Sequence, residues 1–161
     1  MKLEKAIFAC GCFWGAQYQF EHAKGVVRST VGYIGGHKEH PAYEEVKAHT
    51  TGHAEATLVE FDAEQTSFTE LCKLFFEIHD PAQTDGQGPD IGPQYRSEIF
   101  YLNDKQKEEA EAVIALLREK GYEVNTKLTP ATTFWEGEEY HQHYYDKMGG
   151  EPYCHIRVKK F

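Results

Sequence analysis

Long apolar runs are missing from this chain of 161 residues. None approaches the roughly 18 residues that a membrane-spanning helix needs, and the opening "MKLEKAIFAC" has a charged start with no hydrophobic core of signal-peptide length. That pattern predicts a cytoplasmic protein. Basic charge is also scarce: 17 Lys and Arg stand against 26 Asp and Glu, a net charge of -9, which argues against nucleic acid or an anionic membrane as partner. Cysteine is sparse. The four at 10, 12, 72 and 154 are too few and too uneven for a secreted disulfide scaffold, and no C-x-x-C pair suggests zinc. A chain of this length buries about two-thirds of its unfolded surface without such staples. No repeat or linker divides it, so residues 1–161 read as one domain. The nine histidines do not amount to a metal signature. H-x-H at His141 and His143 on a helix would point the rings about 200° apart, and no carboxylate or cysteine recurs at ligand spacing, so packed or solvated histidines are expected.

What is present is a regular alternation of strand and helix patterns. "KAIFA" (5–9) is a short apolar strand, and "FWGAQYQFEHAKG" (13–25) reads as a helix closed by Gly25. "VVRSTVGYI" (26–34) and "AEATLVEFD" (54–62) are strands by β-branched content. Phe68, Leu71, Phe75 and Ile78 repeat at helical spacing, with Ser67 as N-cap and Glu70 three positions on. "EIFYL" (98–102) is a strand. Asn103 then caps a helix whose buried stripe is Ala110, Val113, Ile114 and Leu117, ended by Gly121. Residues 80–97 hold three of six prolines and no periodicity, which predicts a long functional loop at the edge of a site. "YEVNTKL" is a candidate further strand, and the rest is a short helix followed by a tail. Strand-helix-strand-strand-helix-strand is the order of a split βαβ unit. The expected fold is therefore α+β, a ferredoxin-like two-layer sandwich with an extra helix and an irregular C-terminal tail.

The chemistry concentrates in "ACGCFWGAQ" (9–17), where Cys12 falls at the turn from strand to helix. A helix N-terminus favours the thiolate, the reactive form of cysteine. Gly11 and Gly15 permit unusual backbone angles and close approach of a ligand. Phe13 and Trp14 suit the wall of a pocket better than an exposed first turn, and an apolar wall beside a nucleophile implies an apolar group on the substrate. Cys72 lies on the apolar stripe of its helix and reads as core. Cys10 closes a buried strand and reads as structural, with C-x-C redox or metal chemistry as the alternative. Glu55 stands among apolar strand neighbours, where burial raises a carboxyl pKa toward that of a proton donor; a solvated glutamate at a strand end is the other reading. His53 either orients Glu55 or is structural. Two rival functions remain on the residues alone: a thiol hydrolase with a histidine base beside Cys12, and a metal or redox-sensing module built on Cys10, Cys12 and the histidines.

Four motifs occur in order between Ile7 and Cys154: "GCFWG" at 11–15, "GHAEA" at 52–56, "HDP" at 79–81 and "QYRS" at 94–97. Together they make the chain resemble the A-type peptide methionine sulfoxide reductases, oxidoreductases that reduce the S epimer of methionine sulfoxide. The oxide of a sulfoxide is a very poor leaving group unless protonated, so the reaction needs an acid as well as a thiolate. The resemblance implies that Cys12 is the nucleophile and Glu55 the acid. It further implies that Tyr43 in "PAYEEV" and Tyr95 in "QYRS" donate to the sulfoxide oxygen, that Asp90 in "GPDIG" is the acidic loop residue, and that Phe13 and Trp14 receive the substrate methyl group. Cys154 in "EPYCHIRV" matches the resolving cysteine, in a segment expected to be mobile unless "HIRVKKF", which alternates like a strand, pins it. No bound cofactor or metal is implied. Thioredoxin is the implied reductant, free methionine sulfoxide or oxidised protein the substrate, and the chain a monomer. The sequence departs from the family pattern in having Cys10 where glycine is common, a second candidate resolving thiol, and in the prolines 89 and 93 around Asp90.

Overall fold

Alternating side chains let the central strands bury both faces, and the sheet is built on that property. The computed structural model describes residues 2–48, 51–83, 86–87, 90–149 and 157–161. Its strands are β1 (Leu3–Cys10), β2 (Val26–Ile34), β3 (Ala54–Asp62), β4 (Gly86–Gln87), β5 (Asp90–Ile91), β6 (Ser97–Tyr101), β7 (Lys127–Pro130) and β8 (Trp135–Glu136). The helices are α1 (Phe13–Glu21), α2 (Tyr43–Lys47), α3 (Phe68–Glu77), α4 (Asp104–Glu119) and α5 (Tyr144–Met148). Six strands form one sheet in the order β7-β6-β1-β3-β2-β8, and β4 pairs with β5 as a separate hairpin. Every contact in the large sheet is antiparallel except β6 with β7. The inner four, β6-β1-β3-β2, have the split βαβ arrangement, so the expected α+β, ferredoxin-like sandwich is the one observed.

One face of β1 sends Ala6, Phe8 and Cys10 against α1, α3 and α4, in a core with Val59, Phe61, Phe75 and Leu117. Phe8 lies at its centre, stacked on Phe20, Phe68 and Phe75 with ring centroids 5.0, 5.7 and 5.2 Å away. The other face carries Ile7, Ala9, Ile34, Ala54, Ala56 and Phe100, covered by Ala131 and Phe134. Local signals set the helix starts. Ser67 accepts a hydrogen bond from the Glu70 N–H, and Asn103 from that of Gln106. Among the described residues no helix is long and apolar enough to cross a membrane.

Several boundaries differ from expectation: β1 runs over Leu3–Cys10 rather than 5–9, and β7 over Lys127–Pro130 rather than 122–128. The first helix ends at Glu21 rather than running to Gly25. Gly25, at φ +83°, belongs to the turn into β2, where an added Cβ would lie 2.7 Å from Thr66 Cγ2. The proline-rich loop contains β4, β5 and a 3-10 turn at Pro93–Tyr95. Finally, residues 157–161 are docked on α3. The buried Glu77 accepts from the Arg157 guanidinium at 2.8 and 3.0 Å and from the Lys160 N–H at 3.0 Å, while its carbonyl accepts from the Val158 N–H at 2.8 Å. Cys154 lies outside the described residues.

Candidate active site

Gly11 makes the turn out of β1 at φ +102°, a conformation glycine adopts without a Cβ penalty. Cys12 follows with non-helical angles as the N-cap of α1, and its side chain makes no capping hydrogen bond. Gly15, by contrast, is an ordinary buried helical residue. Of the three described cysteines, Cys12 is partly exposed while Cys10 and Cys72 are buried. Burial pushes the Cys72 thiol well above its ordinary pKa, helped by the charge of Glu109. The helix terminus therefore presents one accessible thiol toward its positive end.

Glu55 reaches the same turn from the sheet. Glu55 lies two residues before Thr57, where the β1–β3 pairing ends at Phe8, and it pairs with Tyr33 of β2. The Glu55 side chain is 1% exposed, and its Oε1 accepts from the Phe13 N–H at 3.3 Å. The carboxyl thus sits at the first turn of α1, one residue from Cys12. Solvated strand-end glutamate, the competing expectation, is not what the fold makes of it. His53 is a structural residue: its Nδ1 accepts from the Gly36 N–H at 3.0 Å and its Nε2 bonds to the Lys38 carbonyl at 2.7 Å.

Two phenols complete the cluster. Tyr43 opens α2 and Tyr95 ends the 3-10 turn. The Tyr43 and Tyr95 side chains interact with one another, and Gln94 interacts with Tyr95. Burial, reinforced by the negative charges of Glu55 and Cys12, pushes the Tyr43 phenol up to about 12. Tyr95 is raised by burial, Glu55, Tyr43 and Cys12 in turn. Both phenols therefore keep their protons at neutral pH, within electrostatic reach of the carboxyl and the thiol.

Phe13 and Trp14 pack among other aromatic rings. Phe13 is 1% exposed, with ring centroids 5.7 Å from Tyr33 and 6.3 Å from Tyr43. Trp14 stacks on Tyr144 at 4.0 Å and donates its Nε1–H to His141 Nδ1 at 2.9 Å. Asp90 is in β5, paired with Gln87 across the hairpin. Cys12, Glu55, Tyr43, Tyr95, Phe13 and Trp14 are thus brought together. Among the described residues no group of three His, Cys, Asp or Glu side chains is placed to hold a metal ion.

Sequence reasoning missed the outer support of this cluster. Glu138 accepts from the Tyr33 hydroxyl at 2.7 Å and from the Tyr43 N–H at 3.0 Å. Burial opposes its ionisation, yet these hydrogen bonds prevail and hold its pKa below the ordinary carboxylate value. The Gln142 amide accepts from the Val31 N–H and donates to the Val31 carbonyl, both at 2.9 Å. It substitutes for a strand partner. No local pattern in "EGEEYHQHYY" marks either residue, because each acts through contacts about a hundred residues away in sequence.

A sequence model of the family described as peptide methionine sulfoxide reductase matches residues 4–161. The chain belongs to that family. Among its curated relatives, the peptide methionine sulfoxide reductase MsrA of Geobacter sulfurreducens is 48% identical over 92% of this chain and 93% of its own. The enzyme of the same name from Acinetobacter baumannii is 43% identical over 97% of this chain and 90% of its own. In solved structures, the reduced form of Mxr1 from Saccharomyces cerevisiae matches with a TM-score of 0.90 at 34% identity, over 97% of this chain and 92% of that one. Mxr1 in complex with Trx2 matches in fold, with a TM-score of 0.65 at 23% identity, over 99% of this chain and 91% of that one. This peptide methionine sulfoxide reductase is an enzyme that reduces methionine sulfoxide.

Proposed function

We propose that this reductase acts, as a single catalytic domain, on methionine-S-sulfoxide, free or in exposed protein segments, through the thiolate of Cys12. Attack on sulfur transfers the oxygen to the cysteine: thiolate, sulfoxide and one proton become a Cys12 sulfenic acid and methionine. Glu55 supplies the proton, and Tyr43 and Tyr95 donate hydrogen bonds to the oxygen as negative charge develops on it. Phe13 and Trp14 hold the substrate methyl group, and Asp90 is the acidic group of the adjoining loop. Selectivity for the S epimer follows the family resemblance.

Recycling completes the electron balance. The Cys154 thiol condenses with the sulfenic acid, releasing water and forming a Cys12–Cys154 disulfide. A thioredoxin dithiol then reduces that bond and is itself oxidised. The existence of a complex between Mxr1 and Trx2 supports a partner of this class.

The observation that carries the reading is the buried Glu55 carboxyl bonded to the first N–H of the helix that Cys12 caps. Replacing that carboxyl tests it. Glu55→Gln is expected to slow single-turnover sulfoxide reduction by about 10²–10⁴-fold while Cys12 alkylation by iodoacetamide continues. An unchanged rate would remove Glu55 as the acid.

A further inference from the structure

His141 is a buried titratable group, packed against Phe13 and Trp14, that the proposed chemistry does not use. It is 1% exposed. Its ring is boxed in by Tyr140, Tyr43, Phe13 and Trp14, with centroids 4.1, 4.3, 5.2 and 5.6 Å away. An indole N–H can only donate, so the 2.9 Å bond from Trp14 Nε1 makes His141 Nδ1 an acceptor. The neutral ring then carries its proton on Nε2. That Nε2 is buried with no hydrogen-bond partner among the described residues. An unmatched buried donor is costly, and an apolar ring would fill the same space without that cost. What distinguishes histidine here is the acceptor at Nδ1.

The backbone around the ring is fixed on both sides. Glu138 is tied to Tyr33 and Tyr43, and Gln142 to Val31. The His143 N–H donates to Gln17 Oε1 at 2.6 Å, and its ring pairs with Glu21 at 2.5 Å. The 3-10 turn Glu139–His141 is therefore a rigid mount, placed against α1 from the far end of the chain. Trp14 is gripped at its N–H edge by His141 and on a face by Tyr144.

We propose that His141 is a positioning residue, whose Nδ1 holds the Trp14 indole in the orientation that makes it the wall of the methyl subsite. The proposal rests on the reading of Trp14 as that wall. It concerns substrate binding rather than proton transfer, so its mark is on KM more than on kcat. Acid has a defined effect as well. Burial lowers the His141 pKa, while Glu138 and Glu44 partly oppose that shift. Tyr140 from its own turn and Tyr43 from α2 are the other titratable groups around the ring. Below the ordinary histidine range the ring gains a second proton, both nitrogens become donors, and the bond to Trp14 breaks.

The test uses the full chain carrying Trp135→Phe, which leaves Trp14 as the only indole of two. Into it go His141→Leu, which removes the acceptor, and His141→Asn, whose side-chain oxygen replaces Nδ1. KM and kcat for methionine-S-sulfoxide and Trp14 fluorescence are measured for each. His141→Leu is expected to raise KM about tenfold with kcat little changed and to shift the Trp14 emission, and His141→Asn to restore both. Equal impairment in the Leu and Asn variants, or no change in either readout with Leu, overturns the proposal. If His141→Leu fails to fold, the Trp14 emission of the Trp135→Phe protein decides: it titrates on acidification if the bond exists as described and is flat if it does not. A Trp14→Ala control separates the two claims. Unchanged KM there sinks the methyl-wall reading itself, whereas a raised KM with an inert His141→Leu sinks only the role of His141.

Discussion

Three helices pack on the same face of the sheet, yet they begin in two different ways. α3 and α4 start on Ser67 and Asn103, whose side-chain oxygens satisfy an N–H of the first turn. α1 starts on Cys12, with no such bond from its side chain, and its first N–H is met by Glu55 from the neighbouring strand. The first arrangement stabilises a helix with one residue. The second gives up a good cap for a thiol and imports a carboxyl from β3 to the same spot. A helix terminus that departs from the capping rule beside two that obey it is where the proposed chemistry falls.

Cys12→Ser tests that contrast most severely. Serine is a preferred N-cap, so thermal unfolding is expected at the same temperature or slightly higher, while sulfoxide reduction falls by on the order of 10³-fold or more for want of a thiolate. A retained rate would break the comparison. Tyr43→Phe is next. Deleting one preorganised donor is expected to lower kcat by about 10²-fold. The parent Tyr43 also predicts a signed stability profile. Its phenol holds its proton to about 12 in the folded state, against about 10 unfolded, so this group's stabilisation is present below pH 10 and is lost as pH rises toward 12. Melting temperatures across that range, in the parent and in Tyr43→Phe, measure the difference. The smallest effect belongs to an ordinary cap. Ser67→Ala should cost about 1 kcal/mol, about 2–4 °C in melting temperature, with kcat and KM unchanged.

Short-range signals made much of this structure legible. β2 and β3 span the residues their β-branched content predicts, and Ser67 and Asn103 cap as the spacing requires. The strand-to-helix turn at Gly11 and Cys12 could likewise be read from adjacent residues. Glu55 is different: its sequence neighbours leave it ambiguous, and only the pairing of β1 with β3 brings it to α1. Glu138, His141 and Gln142 were invisible because their partners lie on β2, α2 and α1, and nothing local distinguishes them from surface residues. The docking of residues 157–161 on Glu77 is hidden for the same reason. A Glu inside a helix reads as solvated until the tail that buries it is in place.

In the proposed reaction Cys12 attacks the sulfoxide sulfur and is the thiol that changes state. Reduced protein is treated with methionine-S-sulfoxide, without external reductant and with the R epimer as control, and its thiols are counted by mass after alkylation. The expected result is methionine formed from the S epimer alone, two thiols lost, and a disulfide peptide joining Cys12 to Cys154. Methionine formed while Cys12 remains fully alkylated, or neither epimer reduced, would contradict it.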